Sequence, residues 1–229
     1  MDVQQRLLIG WLLFGGTHIL MSSLPVRSGL IGWIGLRGFK GAYSLVAFAT
    51  LIFLAGTYWG HRHEGVMLFA RPDWLRHVTE PIVLLAFLCL GLAHTSKSPA
   101  TTPAEMTGKY VSTARGIHRI TRHPQNLAFF LFGLGHMVSN PKVGDWCFWA
   151  GFPVFAVLSA IHQDRRLLKA GPPEFRTFYA ETSFIPFLAI LQGRQTLVRG
   201  EIRTLAVLIS LAVGTVVRLV HPYVFGGFR

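Results

Sequence analysis

Six apolar runs punctuate the chain, at residues 7–24, 41–59, 81–94, 127–138, 146–161 and 204–220, and polar, basic stretches separate them. A bilayer crossing takes about 20 predominantly apolar residues in helical form. Several of the runs reach or approach that length, so the pattern predicts an all-α polytopic transmembrane helix bundle with about five to six spanning helices. The first run follows Arg6 as a signal peptide would, but it holds His18 and lacks a small-residue cleavage pattern, so it reads as the first span. Residues 95–107 are rich in Ser, Thr, Pro and Lys and read as a mobile linker-like loop, and residues 27–40 as a glycine-rich loop. Residues 182–187 are too short to span and read as interfacial or re-entrant. A chain of 229 residues with no other composition break reads as a single membrane domain, 1–229.

Composition agrees, with 51% hydrophobic residues and a mean hydropathy of +0.44. The net charge of +12 gains a meaning from its distribution. Lys and Arg number 3 in residues 25–40, 5 in 95–122 and 7 in 163–203. The other side of the predicted bundle holds only Arg6, then Arg62, Arg71 and Arg76, then Lys142, with Arg218 and Arg229 near the C-terminus. Basic loops mark the cytoplasmic face. The expectation is therefore an integral protein of a bacterial-type inner (plasma) membrane, with both termini outside and the lipid bilayer as its first partner. Nucleic-acid binding is excluded as the reading of the charge, because the cations flank apolar spans rather than forming a soluble basic surface. Cys89 and Cys147 fall inside apolar runs as small hydrophobes, with no Cys-x-x-Cys metal pattern.

Candidate chemistry centres on histidine. The stretch Gly116-Ile117-His118-Arg119-Ile120-Thr121-Arg122-His123-Pro124-Gln125-Asn126 leads into an apolar run. Arg122-His123-Pro124 sets a fixed charge, an imidazole and a helix-starting proline at that run's mouth. His136 follows among Gly133, Gly135 and Met137, and His18 lies beside Gly15 and Gly16. An imidazole in lipid takes a polar partner or a metal. His61 and His63 beside Glu64 read as a short polar loop in preference to a surface metal site. There is no Gly-x-Ser-x-Gly and no phosphate-cradling glycine loop, and Glu80 is the one acidic residue placed within a predicted span. Two imidazoles from different helices can hold a haem iron. Spacing leaves that reading and plain hydrogen-bonded histidines both open.

Four stretches carry a family resemblance: Arg119 to Gln125, Gly135-His136, Asp164-Arg165-Arg166-Leu167, and the run from Thr182 through Gln195. Together they resemble the NnrU family, and within it the 15-cis-zeta-carotene isomerase branch. The resemblance implies haem b (iron) held by histidine, with His136 matching the principal ligand and His18 the second. It also implies cis–trans isomerisation of a carotenoid precursor, a hydrophobic polyene, with ferrous haem acting on the double bond. His61 and His123 match further family histidines and stand with His136 as catalytic candidates. Arg122 and Arg165 stand as cofactor-binding candidates, Arg165 through contact with a haem propionate. Two departures go with the match: Gly133 replaces a cysteine tied to ligand exchange in the isomerase branch, and another family histidine falls near Phe155.

Other readings come from different classes. NnrU proteins as a group are linked to denitrification, which would make this a non-catalytic haem protein of the nitric oxide response. Arg122-His123-Pro124, followed by Glu174-Phe175, Tyr179 and Phe184-Ile185-Pro186, also resembles S-adenosylmethionine-dependent membrane methyltransferases of the isoprenylcysteine type. The predicted topology also puts His18 nearer the inner face and His136 nearer the outer, which opposes simultaneous ligation of one iron by both.

Overall fold

A computed structural model describes residues 1–225; Arg229, counted above among the outer charges, lies outside the described residues. Among the described residues every regular element is helical, apart from one isolated antiparallel bridge between Met67 and Lys142. The chain groups into two compact units, one made of Met1–Arg76 with Gly133–Gly171 and the other of His77–Phe132 with residues 172–225.

In the first unit, α1 (Val3–Ser22) opens on a capping box. The Gln5 N–H donates to Asp2 Oδ1 at 2.7 Å, and the Asp2 N–H donates to Gln5 Oε1 at 3.2 Å. Ser23, in extended backbone, separates it from α2 (Leu24–Gly60). Residues 27–40, expected as a loop, are helical instead. The chain turns at one position, Gly35, whose φ of +72° is open to glycine at little cost. Beyond that break α2 runs back along α1. Leu7, Leu54, Tyr58 and Phe148 form a buried core there, and Gly10 lets Leu54 approach the α1 backbone.

In the second unit, α3 (Arg76–Ala93) precedes α4 (Thr102–Thr107), which Thr101 caps by accepting from the Ala104 N–H. Ser98 and Pro99 are buried, so the stretch expected as a mobile linker is packed against its own unit. Next, α5 (Pro124–Ser139) starts at its proline and carries the chain into the first unit. There α6 (Val143–Trp149) and α7 (Gly151–Ala170) follow almost in line through Ala150. Back in the second unit come α8 (Pro173–Glu181), the single turn α9 (Leu188–Leu191) and α10 (Thr204–Val224). α10 packs on α3 through small residues, Gly91 facing Ser210 and Gly214 facing Leu84 and Phe87. Arg218 donates to Glu80 Oε1 at 2.9 Å between the same two helices.

Four helical runs are long and apolar enough to cross a membrane, Leu24–Gly60, Asp73–Ala93, Val143–Ala170 and Thr204–Val224, fewer than the five to six expected. The two expected spans that drop out do so for different reasons. α5 has 16 residues, about 24 Å at about 1.5 Å per residue, against about 30 Å of hydrocarbon. α1 is long enough, but Gln4, Gln5, Arg6 and His18 dilute its apolar content. Acidic residues correct the sequence reading in the other direction. Glu80 is not alone, because Asp145 and Asp164 both lie within the run Val143–Ala170 and are buried.

Candidate functional site

The His136 imidazole, near the C-terminal end of α5, stacks on the Trp149 indole at 4.1 Å between ring centres and 22° between planes. Trp149 is itself held: its Nε1–H donates to the Tyr58 hydroxyl oxygen at 3.0 Å. The Tyr58 O–H in turn donates to Asp145 Oδ1 at 2.8 Å. Asp145 is 0% exposed. It also accepts the His63 backbone N–H at 3.2 Å and faces His63 Nδ1 at 3.1 Å through Oδ2. Tyr58 is fixed from the side by face-to-face stacking on Phe148, with 4.1 Å between ring centres and 2° between planes. The ladder His63–Asp145–Tyr58–Trp149 therefore runs from a half-exposed imidazole to the ring beneath His136. Sequence reasoning missed it. The available signal was an acidic residue at the front of an apolar helix, where only burial with a partner is stable.

His18 has a different setting. Its ring lies against Phe14 at 5.4 Å, Tyr43 at 4.6 Å and Phe155 at 5.1 Å between ring centres. Its buried Nδ1 has no hydrogen-bond partner, a state that costs about 1–3 kcal/mol unless a ligand or metal takes the nitrogen. Phe155, near which the resemblance puts another family histidine, stands directly beside His18. The aromatic neighbours of the two candidate ligands, Trp149 and Phe155, are six positions apart along α6 and α7, about 9 Å of helix. His136 and His18 are thus set among different aromatic neighbours of the first unit. His61 ends α2, its N–H donating to the Tyr58 carbonyl at 3.0 Å. Its Nδ1 is buried without a hydrogen-bond partner. Arg165 is exposed on α7.

Arg122 and His123 belong to the second unit, where both are buried. The Arg122 guanidinium lies 3.8 Å from the Tyr179 ring centre and donates to the Tyr179 carbonyl at 2.8 Å and to Thr182 Oγ1 at 3.4 Å. Its backbone N–H donates to the Ser183 carbonyl at 2.7 Å, and the Phe187 N–H donates to the Ile120 carbonyl at 2.8 Å. Residues 182–187, expected to be interfacial or re-entrant, form the other side of this pairing. The His123 ring lies 6.0 Å from that of Phe184. His118, 3% exposed, meets the Phe178 ring edge-on at 5.6 Å, and burial pushes its pKa down to about 4. Nearby, Arg119 grips Glu201 with two hydrogen bonds, Nε to Oε2 at 2.8 Å and Nη2 to Oε1 at 2.9 Å, and reaches Gln195 with a third. A polar cleft of about 280 Å³ adjoins it, lined in part by Glu181, Arg194 and Gln195.

No group of three or more His, Cys, Asp or Glu side chains able to hold a bare metal ion occurs among the described residues. Haem is less demanding, because its macrocycle supplies four donors and one imidazole completes an axial position. His136 on its ordered aromatic support and His18 with its unpartnered nitrogen each fit that single-donor role.

Among the described residues the regular elements are helical, and four helices are long and apolar enough to cross a membrane. The NnrU family profile, described as NnrU protein, matches residues 6–227, and the chain belongs to that family. It is 29% identical over 189 residues to "15-cis-zeta-carotene isomerase, chloroplastic" of Arabidopsis thaliana, covering 81% of this chain and 50% of that protein. It is 25% identical over 187 residues to the protein of the same name from Zea mays, again covering 81% of this chain and 50% of the relative. The chain thus spans about half the length of the curated relatives it matches. No solved structure matches it.

Proposed function

We propose that this chain is an integral membrane, haem-b-dependent cis–trans isomerase of a carotenoid precursor, and that His136 would hold the haem iron. Relatives named for that activity support the isomerase reading, and the observation that carries the site is the His136 ring stacked on a hydrogen-bonded Trp149. An imidazole whose plane is fixed before ligation presents its nitrogen in one direction, which lowers the ordering cost of binding a rigid macrocycle. Haem, when bound, supplies a ferrous iron able to bind and weaken a polyene double bond. The chain's own residues exclude water with aromatic and aliphatic side chains, orient the ligand and offer an apolar surface to a substrate with no polar handle. His18 is the second imidazole of the set, while His61 and His123 are further candidates. Arg165, exposed on α7, is available to a haem propionate; the Arg122 guanidinium is engaged by Tyr179 and Thr182. The basic loops lie on the cytoplasmic side in this reading, and the partners are the bilayer and a hydrophobic polyene.

The test is the absorption spectrum of the detergent-purified chain, oxidised and then dithionite-reduced, beside His136→Ala. Sharp ferrous bands absent from the variant, followed by conversion of a cis-carotene in liposomes, are expected. A wild-type chain that stays colourless when haem is supplied overturns the proposal.

Gly133 favours one second reading, since it stands where the isomerase branch carries the cysteine tied to ligand exchange. A haem protein of the denitrification or nitric-oxide-response type needs no such exchange. Haem bands without any cis-carotene conversion would select it.

A further inference from the structure

We infer that Tyr58 and Asp145 are positioning residues for the His136 imidazole, acting through Trp149; the inference rests on His136 being the working ligand of this site. Asp145 is a fully buried carboxylate in the first turn of α6, and its Oδ2 faces His63 Nδ1 at 3.1 Å. Its oxygens receive the Tyr58 hydroxyl at 2.8 Å and the His63 backbone N–H at 3.2 Å. A hydroxyl that donates to a carboxylate becomes a stronger acceptor, because hydrogen bonds in a chain polarise one another. That acceptor meets the Trp149 Nε1–H at 3.0 Å. The indole is thereby pinned at its polar end while its face carries the His136 ring at 4.1 Å.

Each link has a direction. Asp145 comes from α6, Tyr58 from the last turn of α2, Trp149 from the end of α6 and His136 from α5. Trp149 lies four positions after Asp145, one helical turn, so one helix supplies both the anchor and the platform. Tyr58 bridges the two and is locked in rotation by its stack on Phe148. Removing the Tyr58 hydroxyl takes away the acceptor that holds the indole N–H at 3.0 Å, and the ring gains freedom to tilt. A site whose ligand must hold its orientation to within about 10–20° needs such a supporting shell.

The experiment uses the full chain in detergent, produced under haem limitation and free of haem absorbance, as wild type, Tyr58→Phe and Asp145→Asn. Rates of carbethoxylation are read at His136 and His18 by peptide mass spectrometry, and His136 ring-proton signals by NMR with His136→Gln as the assignment reference. In Tyr58→Phe the His136 rate is expected to rise threefold or more with His18 unchanged. The upfield displacement that a stacked indole gives the His136 signals is expected to shrink. Asp145→Asn shifts both in the same direction; if it does not fold, Tyr58→Phe, which keeps the ring and its stack, decides alone. Equal His136 rates in wild type and Tyr58→Phe, or parallel rises at His136 and His18, overturn the inference. The readout follows the imidazole and not the iron, so a chain that takes up no haem defeats the functional reading and leaves this result standing.

Discussion

A β-carbon placed on Gly133 would stand 2.6 Å from Phe152 Cβ, 2.6 Å from Pro153 Cδ and 2.8 Å from the Trp149 carbonyl oxygen. Two of those neighbours are held close to the backbone and the third is backbone, so α5 meets α6 and α7 with no room for any side chain. A cysteine here, the residue that the resemblance sets at this position in the isomerase branch, would require α5 to move away from the helices that support His136. Gly133→Ala and Gly133→Cys are expected to destabilise by about 1–3 kcal/mol, the usual cost of overpacking. Gly16→Ala, with nothing within 4 Å of its added carbon, is expected to leave the thermal midpoint nearly unchanged. A Gly133→Cys chain with the wild-type midpoint in detergent would show that the helix contact is not fixed.

The contact of α3 with α10 makes a paired prediction. A β-carbon at Gly91 would overlap Ser210 Oγ and come within 3.0 Å of Ser210 Cβ. Helices in lipid associate through close packing of small residues, so added bulk on one side separates them. Gly91→Ala is expected to lower the thermal midpoint, and Ser210→Gly to restore most of the loss when combined with it. Strict additivity of the two changes would count against direct contact, because coupled neighbours depart from additivity by about 0.5–3 kcal/mol.

Hydropathy alone made the helical architecture legible, since length and apolar content set both helix type and span candidacy. It overcounted spans where a short helix, α5, or a helix diluted with polar residues, α1, carried an apolar run. His18 and His136 were legible as polar groups in apolar surroundings. The supports were not legible: Asp145 acts through Tyr58, 87 positions away, and no local pattern records a pairing of that separation. The Arg122-His123-Pro124 motif was visible as a helix start, but its burial against Tyr179 and Thr182 depends on a fold-back that periodicity does not encode.

His118 gives a pH signature. Burial lowers its pKa from 6.5 to about 4, so between those values the unfolded chain binds a proton that the folded chain refuses. Stability therefore falls as pH drops through that window. His118→Gln is expected to lose this part of the slope, gaining on wild type by about 3 kcal/mol at most near pH 4, at about 1.36 kcal/mol per pKa unit. Denaturant unfolding in detergent from pH 7 to 4 measures it, and parallel curves for the two proteins would refute it.

Glu201 tests the same direction of pH dependence in a lower window, through a group whose loss costs stability instead of restoring it. Its carboxylate is held by two hydrogen bonds from Arg119 and one from the Gly116 N–H at 2.7 Å, and the Arg119 contact is the main reason its pKa falls from 4.5 to about 2. The same pairing raises Arg119. Because the folded state keeps this carboxylate charged below the pH at which the unfolded chain protonates it, the pair contributes fully above about pH 4.5. Its contribution is lost as pH falls from there toward 2. Glu201→Gln is therefore expected to be less stable than wild type at neutral pH, with the difference closing between pH 4.5 and 2. Arg119→Lys, which keeps the charge but cannot form the two-pronged grip, is expected to recover only part of the neutral-pH stability. The grip also joins the turn that precedes α5 to the segment that precedes α10, so its loss is expected to show first as faster amide exchange at Gly116 and neighbouring residues. A Glu201→Gln protein whose unfolding midpoint tracks wild type at every pH would mean that the pair lies outside the cooperative unit that unfolds.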